Sequence, residues 1–396
     1  MAKWREISIG ELGRVVTGAT PRTGDDAAWG DAIDFVTPTE MSYSSREPAP
    51  CRKLSEGGLE TLRRRMIPSG SVLFVCIGFS TGKVAQVSSP AVTNQQVNSL
   101  VPDPAVVDRR FAYYLLRAKS PAIRAIANGS TTPIVNKSMF QSISVLIPGM
   151  AEQRAVSDVL GALDDKIAAN ERIAATARSL GMAIFVQATQ GDGAVDVEVD
   201  SVANALTRGV APKYSDDPDE LIVLNQKCIR DGRVDLSPAR RTLGEKVKPP
   251  KLLHRNDVLV NSTGVGTLGR VARWTSDREA TVDSHVTIVR FDAQQVDPVC
   301  AGFAMLRAQP DIEAMGEGST GQTELRRAQV GGLEITLPGP SRQRELRVKL
   351  DSLEDRADQA LAESAALAAL RDTLLPQLMS GRLRIKDAEK IVEDHV

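Results

Sequence analysis

Two glycine-flanked stretches carry the groups that could meet a polyanion. One is "GFSTGK", Gly78 to Lys83, which supplies Ser80, Thr81 and Lys83. The other is "TGVGTLGR", Thr263 to Arg270, which supplies Thr263, Thr267 and Arg270. Hydroxyls and cations beside glycine let a backbone approach phosphate closely, and Lys or Arg can read guanine edges. The same groups also suit a solvated hairpin tip, so the residue types leave both readings open. A basic stretch, residues 230–255, adds Lys248 and Lys251; it holds eight Lys/Arg against three Asp/Glu, a local charge of +5. Residues 1–150 hold 17 Lys/Arg against 12 Asp/Glu, again +5, within a chain of net charge −1. Local basic patches on a neutral chain can bind a polyanion, although an average solvated surface fluctuates in the same way.

Catalytic motifs are harder to find. "GVGTLG" matches the dinucleotide fingerprint, but that fingerprint needs a helix next, and here the chain continues "RVARWTSDREATVDSHVTIVRF", which alternates and turns like β. A turn between strands is the better expectation. "GFSTGK" is one residue short of a phosphate loop, and Val84 stands where Ser or Thr must bind magnesium. No Asn-Pro-Pro-aromatic or Asp-Pro-Pro-Tyr tetrapeptide, nuclease-like acidic pair with lysine, or Gly-x-Ser-x-Gly elbow occurs. Cys51, Cys76, Cys228 and Cys300 are far apart, which fits free thiols in a reducing cytoplasm. His254, His285 and His395 never fall at ligand spacing, so no metal site is expected. No run of eighteen apolar residues exists, so no membrane span is expected. "MAKWREISIGEL" carries charges where a signal peptide needs an apolar core, so export is not expected.

The elements that position these loops come twice. "NGSTTPIVNKSMFQSISVLIPGMAEQR", from Asn128, is echoed by "EGSTGQTELRRAQVGGLEITLPGPSRQR", from Glu317. "TGATPRTGDD", "IDFVTPTEM" and "GSVLFVCIGFSTGKVAQV" are echoed by "RGVAPKYSDD", "LIVLNQKCI" and "NDVLVNSTGVGTLGRVARW". All echoes keep one order, at steps between 186 and 191 residues. That is a duplicated domain and not a solenoid of short units. Within each copy, "SVLFVCIG", "DVLVNST", "SHVTIVRF" and "ISVLIP" read as short strands, with helices such as "DRRFAYYLLRAKSPAIRAIANG" between them.

Each copy ends differently, in a coiled-coil seam. Val156, Leu160, Leu163, Ile167, Asn170, Ala174, Ala177, Gly181 and Ile184 step alternately by four and three. The second copy offers Leu346, Leu350, Leu353, Ala357 and Leu361, then Leu367 or Leu370, Leu374 and Leu378. Two helices of about 35 residues, each about 50 Å long, are expected to pair antiparallel within the chain. Asn170 either fixes the register of that pair or lies at a frayed edge.

With these features in hand, the chain resembles the DNA specificity subunits of type I restriction–modification systems, over about residues 3–385. The resemblance rests on "IPGMAEQRAVSDVLGALDDKI" and "LPGPSRQRELRVKLDSLEDRA", each opening a long helix. It rests also on "PSGSVLF" and "RNDVLV", which look like the family's Pro-Gly-Asp-Val-Leu motif, and on the ending "LLPQLMSGRLRI". Gly70-Ser71 and Asn256-Asp257 stand where the family often has Gly-Asp, so no role is carried over for that acid.

The resemblance implies an α/β (α+β) protein with two homologous target-recognition domains in a pseudo-two-fold arrangement, joined by two long antiparallel coiled-coil helices. The boundaries expected are 1–150 and 196–338 for the recognition domains, 151–190 and 339–385 for the spacer helices, and 386–396 for a tail. Each recognition domain would grip one half of a split target in double-stranded DNA. The helix pair, packed through Val156, Leu160, Leu163, Ile167, Leu346, Leu350, Leu353 and Leu361, would dock two methyltransferase subunits. The chain itself would be a non-catalytic reader without a cofactor. Adenine methylation with S-adenosylmethionine would belong to the partner. Cleavage with ATP and magnesium would belong to a restriction subunit, if one is encoded. Two other readings stay open from the residues alone: an enzyme with an unrecognised β-rich catalytic domain, and a coiled-coil adaptor that binds no DNA.

Overall fold

The computed structural model describes residues 4–22, 24–127, 134–191, 193–316 and 324–395. The Gly-Ser-Thr triplets at Gly129 and Gly318, which open the repeated stretches, lie outside the described residues. Two compact units divide the chain. The first comprises Met1–Asn170 with Ala362–Val396, and the second Glu171–Leu361.

In the first unit the order is β1 (Arg5–Ser8), β2 (Gly13–Thr17), β3 (Trp29–Gly30), β4 (Ile33–Val36), β5 (Arg52–Leu54), α1 (Glu56–Leu62), β6 (Val72–Val75), β7 (Val84–Gln86), β8 (Ala91–Thr93), β9 (Val97–Pro102), α2 (Arg109–Ala127), α3 (Lys137–Ser142) and β10 (Ser144–Ile147). The long helix α4 (Met150–Thr189) follows. The second unit continues with β11 (Val195–Glu198), α5 (Val199–Val202), β12 (Ala203–Arg208), β13 (Tyr214–Ser215), β14 (Leu221–Leu224), β15 (Ile229–Arg230), β16 (Arg233–Val234), β17 (Arg240–Thr242), β18 (Val258–Asn261), β19 (Val271–Arg273), β20 (Ala280–Val282), β21 (Val286–Phe291), α6 (Pro298–Arg307), α7 (Gln309–Ala314), α8 (Arg327–Gly331) and β22 (Glu334–Leu337). The second long helix, α9 (Pro340–Met379), and a short α10 (Ile385–Glu393) close the chain.

Sheet topology repeats strand for strand. One four-stranded sheet runs β2-β9-β6-β7 in the first unit and β12-β21-β18-β19 in the second. The other runs β3-β5-β4-β8 and β13-β17-β14-β20. A two-stranded pair, β1-β10 or β11-β22, completes each set. Val72–Val75 and Val258–Asn261 are wholly buried central strands, which explains their unbroken apolar reading.

Both long helices exceed the length the seam suggested, at 40 residues each. Pro376 is accommodated inside α9. In the first unit α4 and α9 run antiparallel: Lys166 meets Glu363 at 3.3 Å and Asp164 meets Arg371 at 2.6 Å. In the second unit Arg178 meets Asp358 at 2.9 Å, and Gly181 faces Leu350. Val156, Leu160, Leu163, Ile167, Leu346 and Leu350 are buried as the seam requires, while Leu353 and Leu361 are half-buried beside Ala174, Ala177, Ala357 and Ala360.

The seam departs from the heptad at Glu354 and Ala360, buried where the seam has Leu353 and Leu361, and at Phe185, which replaces Ile184. The cause is that the long helices also pack on the α/β body of each unit. Phe185 stacks on Phe303 of α6 at 6.0 Å. Glu354 is buried with Arg178 3.8 Å away, and burial raises its carboxyl above the ordinary 4.5 against the pull of Arg273 and Arg178. Residues 386–396, expected as a tail, instead include most of α10, which buries Ala388 and Val392 in the first unit's core.

The repeated Gln-Arg also finds its reason. Gln153 is buried, donates to the Pro148 carbonyl at 3.0 Å, and accepts the Asp108 backbone N–H at 2.9 Å. Gln343 does the same with Pro338 at 2.7 Å and Asp297 at 2.8 Å. Asp108 and Asp297 in turn cap the helices that follow them. Each glutamine therefore locks the start of a long helix to the start of a helix in the unit's α/β body, satisfying donors that burial would otherwise strand.

Candidate nucleic-acid interface

One edge of each unit gathers the loops. In the first unit Thr17 pairs with Asn98, Val75 with Val97, and Phe74 with Val84. The connections after β2, between β6 and β7, and before β9 therefore leave on one side. The parallel strands β4 and β8 end there too, with Val36 beside Thr93. Register in the second unit is equivalent: Arg208 pairs with Thr287, Asn261 with Val286, Val260 with Val271, and Leu224 with Val282.

The β6–β7 connection turns on Gly78 and Gly82, both at positive φ (86° and 93°), a region open to glycine at little cost. Thr81 is buried and its hydroxyl donates to the Gly78 carbonyl at 2.6 Å, so it shapes the loop from within. Ser80 is half-buried and its carbonyl accepts the Lys83 N–H at 3.2 Å. Lys83 Nζ donates to the Pro38 carbonyl at 2.9 Å and stands 5.9 Å from the Tyr43 ring centroid. The residue left at the tip is apolar: Phe79 is 99% exposed.

The matching β18–β19 connection is one residue longer. Gln226 Nε2 donates to Thr263 Oγ1 at 2.7 Å, and the same oxygen lies 2.8 Å from His285 Nδ1. Asn261 is buried and donates to the carbonyls of Gln226 and Thr267 at 3.0 Å each, pinning the loop. Thr267 Oγ1 points at the Gly264 carbonyl at 3.4 Å, and Arg270 donates to the Gly266 carbonyl at 2.8 Å. The tip is again apolar, Val265 at 94% exposure. Both connections are turns between antiparallel strands, as expected for "GVGTLG".

A second turn repeats beside the first. Asn94 Oδ1 accepts the Gln96 N–H at 3.1 Å, and Asp283 Oδ1 accepts the His285 N–H at 2.9 Å. These side-chain turns present Gln95 and Gln96 in one unit, Ser284 and His285 in the other. Sequence reasoning passed over them because it looked for cations and hydroxyls near glycine; the available signal was "TNQQV" against "VDSHV" at a step of 189 residues.

Lys248 and Lys251 separate. Lys248 is exposed, at the start of a 3₁₀ turn. Lys251 donates to Thr207 Oγ1 and to the Arg208 carbonyl, both at 2.5 Å, and desolvation lowers its pKa, helped by Arg327. Arg208 itself reaches the Ser284 carbonyl at 3.2 Å and Glu324 at 2.9 Å.

Burial pushes the Cys76 and Cys228 thiols up to about 11 and Cys300 up to about 12, away from thiolate chemistry. Among the described residues no group of three or more His, Cys, Asp or Glu could hold a metal ion, and no helix is long and apolar enough to cross a membrane. The edge instead offers amides, hydroxyls, guanidinium groups and a bare apolar tip on a fixed scaffold, the mixture that contacts phosphate, base edges and base faces.

Residues 1–177 match the family model of the type I restriction modification DNA specificity domain. The specificity subunit of the type I restriction enzyme MjaIX from Methanocaldococcus jannaschii is 30% identical over 171 residues, 41% of this chain and 38% of that protein. The HindI specificity subunit from Haemophilus influenzae is 27% identical over 150 residues, 37% and 32% of the two chains. The aligned part thus spans about a third of each relative's length. The solved S subunit of a type I restriction–modification system from M. genitalium superposes with a TM-score of 0.60 at 16% identity, over 95% of this chain and 96% of that one, and so shares the fold. The first 177 residues of this chain thus match the DNA specificity domain of type I restriction–modification systems, and the chain over its length shares the fold of a solved S subunit.

Proposed function

We propose that this chain is the DNA-reading subunit of a type I restriction–modification assembly, with one unit for each half of a split duplex target. The observation that carries the reading is the duplicated loop edge, on which Phe79, Gln95 and Gln96 answer to Val265, Ser284 and His285. Ser80, Lys83, Thr263, Thr267, Arg270 and Lys248 frame those edges. Thr81 and Lys251 support them from beneath. The chain transfers no methyl group; two methyltransferase subunits dock on the helix pair and bring S-adenosylmethionine to the target adenines. A restriction subunit, where one is encoded, adds ATP, magnesium and cleavage. The four unpaired cysteines suit assembly in a reducing cytoplasm. Co-expression with its methyltransferase, followed by mapping of methylated adenines, tests this. A two-part motif that appears only when both chains are present supports it. Methylation by the chain alone, or by the methyltransferase alone at the same motif, contradicts it.

A further inference from the structure

A guanidinium lies against an aromatic ring at the same place in both units. Arg52, the first residue of β5, sits over Trp29 with Cζ 3.4 Å from the ring centroid. Arg240, the first residue of β17, sits over Tyr214 at 3.4 Å. The registers are equivalent: Trp29 pairs with Leu54 and Tyr214 with Thr242, while Arg52 faces Phe35 and Arg240 faces Val223. Phe35 and Val223 are the penultimate residues of β4 and β14, which end at the loop-bearing edge. Both arginines are exposed, and among the described residues neither guanidinium takes part in an ion pair or side-chain hydrogen bond. The ring differs between the units, as do the neighbours, Lys53 and Leu54 against Arg241 and Thr242. The stack is what they share.

A stacked guanidinium has one face covered and its N–H edge turned outward. That edge is a rigid fork whose spacing fits two oxygens of one phosphate. Stacking also removes rotamer freedom before any ligand arrives. Trp29 is itself held by an edge-on contact with Phe35 at 5.2 Å, so the first clamp rests on the core. A fork fixed on a strand, beside loops that carry amides and hydroxyls, is suited to position a duplex rather than to read it.

We propose that Arg52 and Arg240 are phosphate clamps, each gripping one backbone phosphate of its own half-site and setting the register of the adjacent loops. This rests on the reading of the chain as a DNA-specificity subunit. The test is the salt dependence of duplex binding by the assembled chain–methyltransferase complex on its mapped target. Arg52→Ala and Arg240→Ala should each lower the magnitude of the log–log salt slope by about 1, and the double variant by about 2, with the methylated motif unchanged. Trp29→Ala and Tyr214→Ala should keep the slope, since the charge stays, and weaken binding about twofold to fivefold. Thermal unfolding of each variant reports any loss of folding separately. Unchanged slopes in both arginine variants, with the wild-type complex binding its target, would overturn the clamp and leave the DNA reading standing. A motif relaxed at one base by either variant would also overturn it, because the arginine would then be reading sequence. A wild-type complex with no affinity for duplex would sink both.

Discussion

The side-chain oxygen of Gln153 accepts the backbone N–H of Asp108 at 2.9 Å, and the two residues begin different helices. Gln343 and Asp297 repeat the bond at 2.8 Å. Since both glutamines are buried, truncation strands a backbone donor and a proline carbonyl without water. Gln153→Ala and Gln343→Ala should each cost about 1–3 kcal/mol. Denaturant unfolding measures it; a loss below about 0.5 kcal/mol, the range of surface substitutions, would show the lock is dispensable.

Asp164 is the anion of a buried network in the first unit. It accepts from Tyr114 Oη and Arg371 NH1, both at 2.6 Å. Burial raises the Tyr114 pKa, and Asp164 raises it further, so the phenol stays a donor. Asp164→Ala removes the buried carboxylate facing Arg371, while the exposed Asp372 at 3.0 Å and the Ser44 carbonyl at 3.1 Å remain, at a cost of about 3 kcal/mol. Asp164→Ala combined with Arg371→Met should recover most of that loss. A double variant no more stable than the single would contradict a charge-based account.

The heptad reading placed Leu353 where Glu354 lies and did not include Arg371, because spacing describes one helix meeting one partner. Each long helix here meets the α/β body of a unit as well, and the buried ionisable groups Asp164, Arg371 and Glu354 sit at those three-way contacts. The duplication, by contrast, was legible to the residue: echoes at steps of 186 to 191 became strands in one register. At the loop edge, residue type was a poor guide. Thr81 and Lys251 turned their polar groups inward, while Phe79 and Val265, apolar and passed over, hold the tips.

Glu354 gives a pH signature. The folded state keeps this proton above the pH at which the unfolded chain, near 4.5, releases it. The stability it contributes is full below that pH and is lost as pH rises through the raised folded value. Glu354→Gln should therefore flatten the fall in stability on the alkaline side of 4.5 relative to wild type, read from melting temperatures across pH. Parallel wild-type and variant profiles would rule out burial of this carboxyl as the source.

Phe79 and Val265 touch little of the protein, so Phe79→Ser and Val265→Ser should leave stability within about 0.5 kcal/mol. Binding of the assembled complex to its target should weaken by more than that, at one half-site for each variant. Unfolding curves and duplex affinities separate the two effects; equal, unchanged affinities would remove the tips from the interface.

The central claim is that each unit reads its own half of the target. Methylated-adenine mapping tests it in cells that co-express the methyltransferase with Gln95→Ala/Gln96→Ala or with Ser284→Ala/His285→Ala. The account predicts a split motif in the wild type, relaxed in one half by the first variant and in the other half by the second. Relaxation of the same half by both variants, or an unsplit wild-type motif, would contradict it.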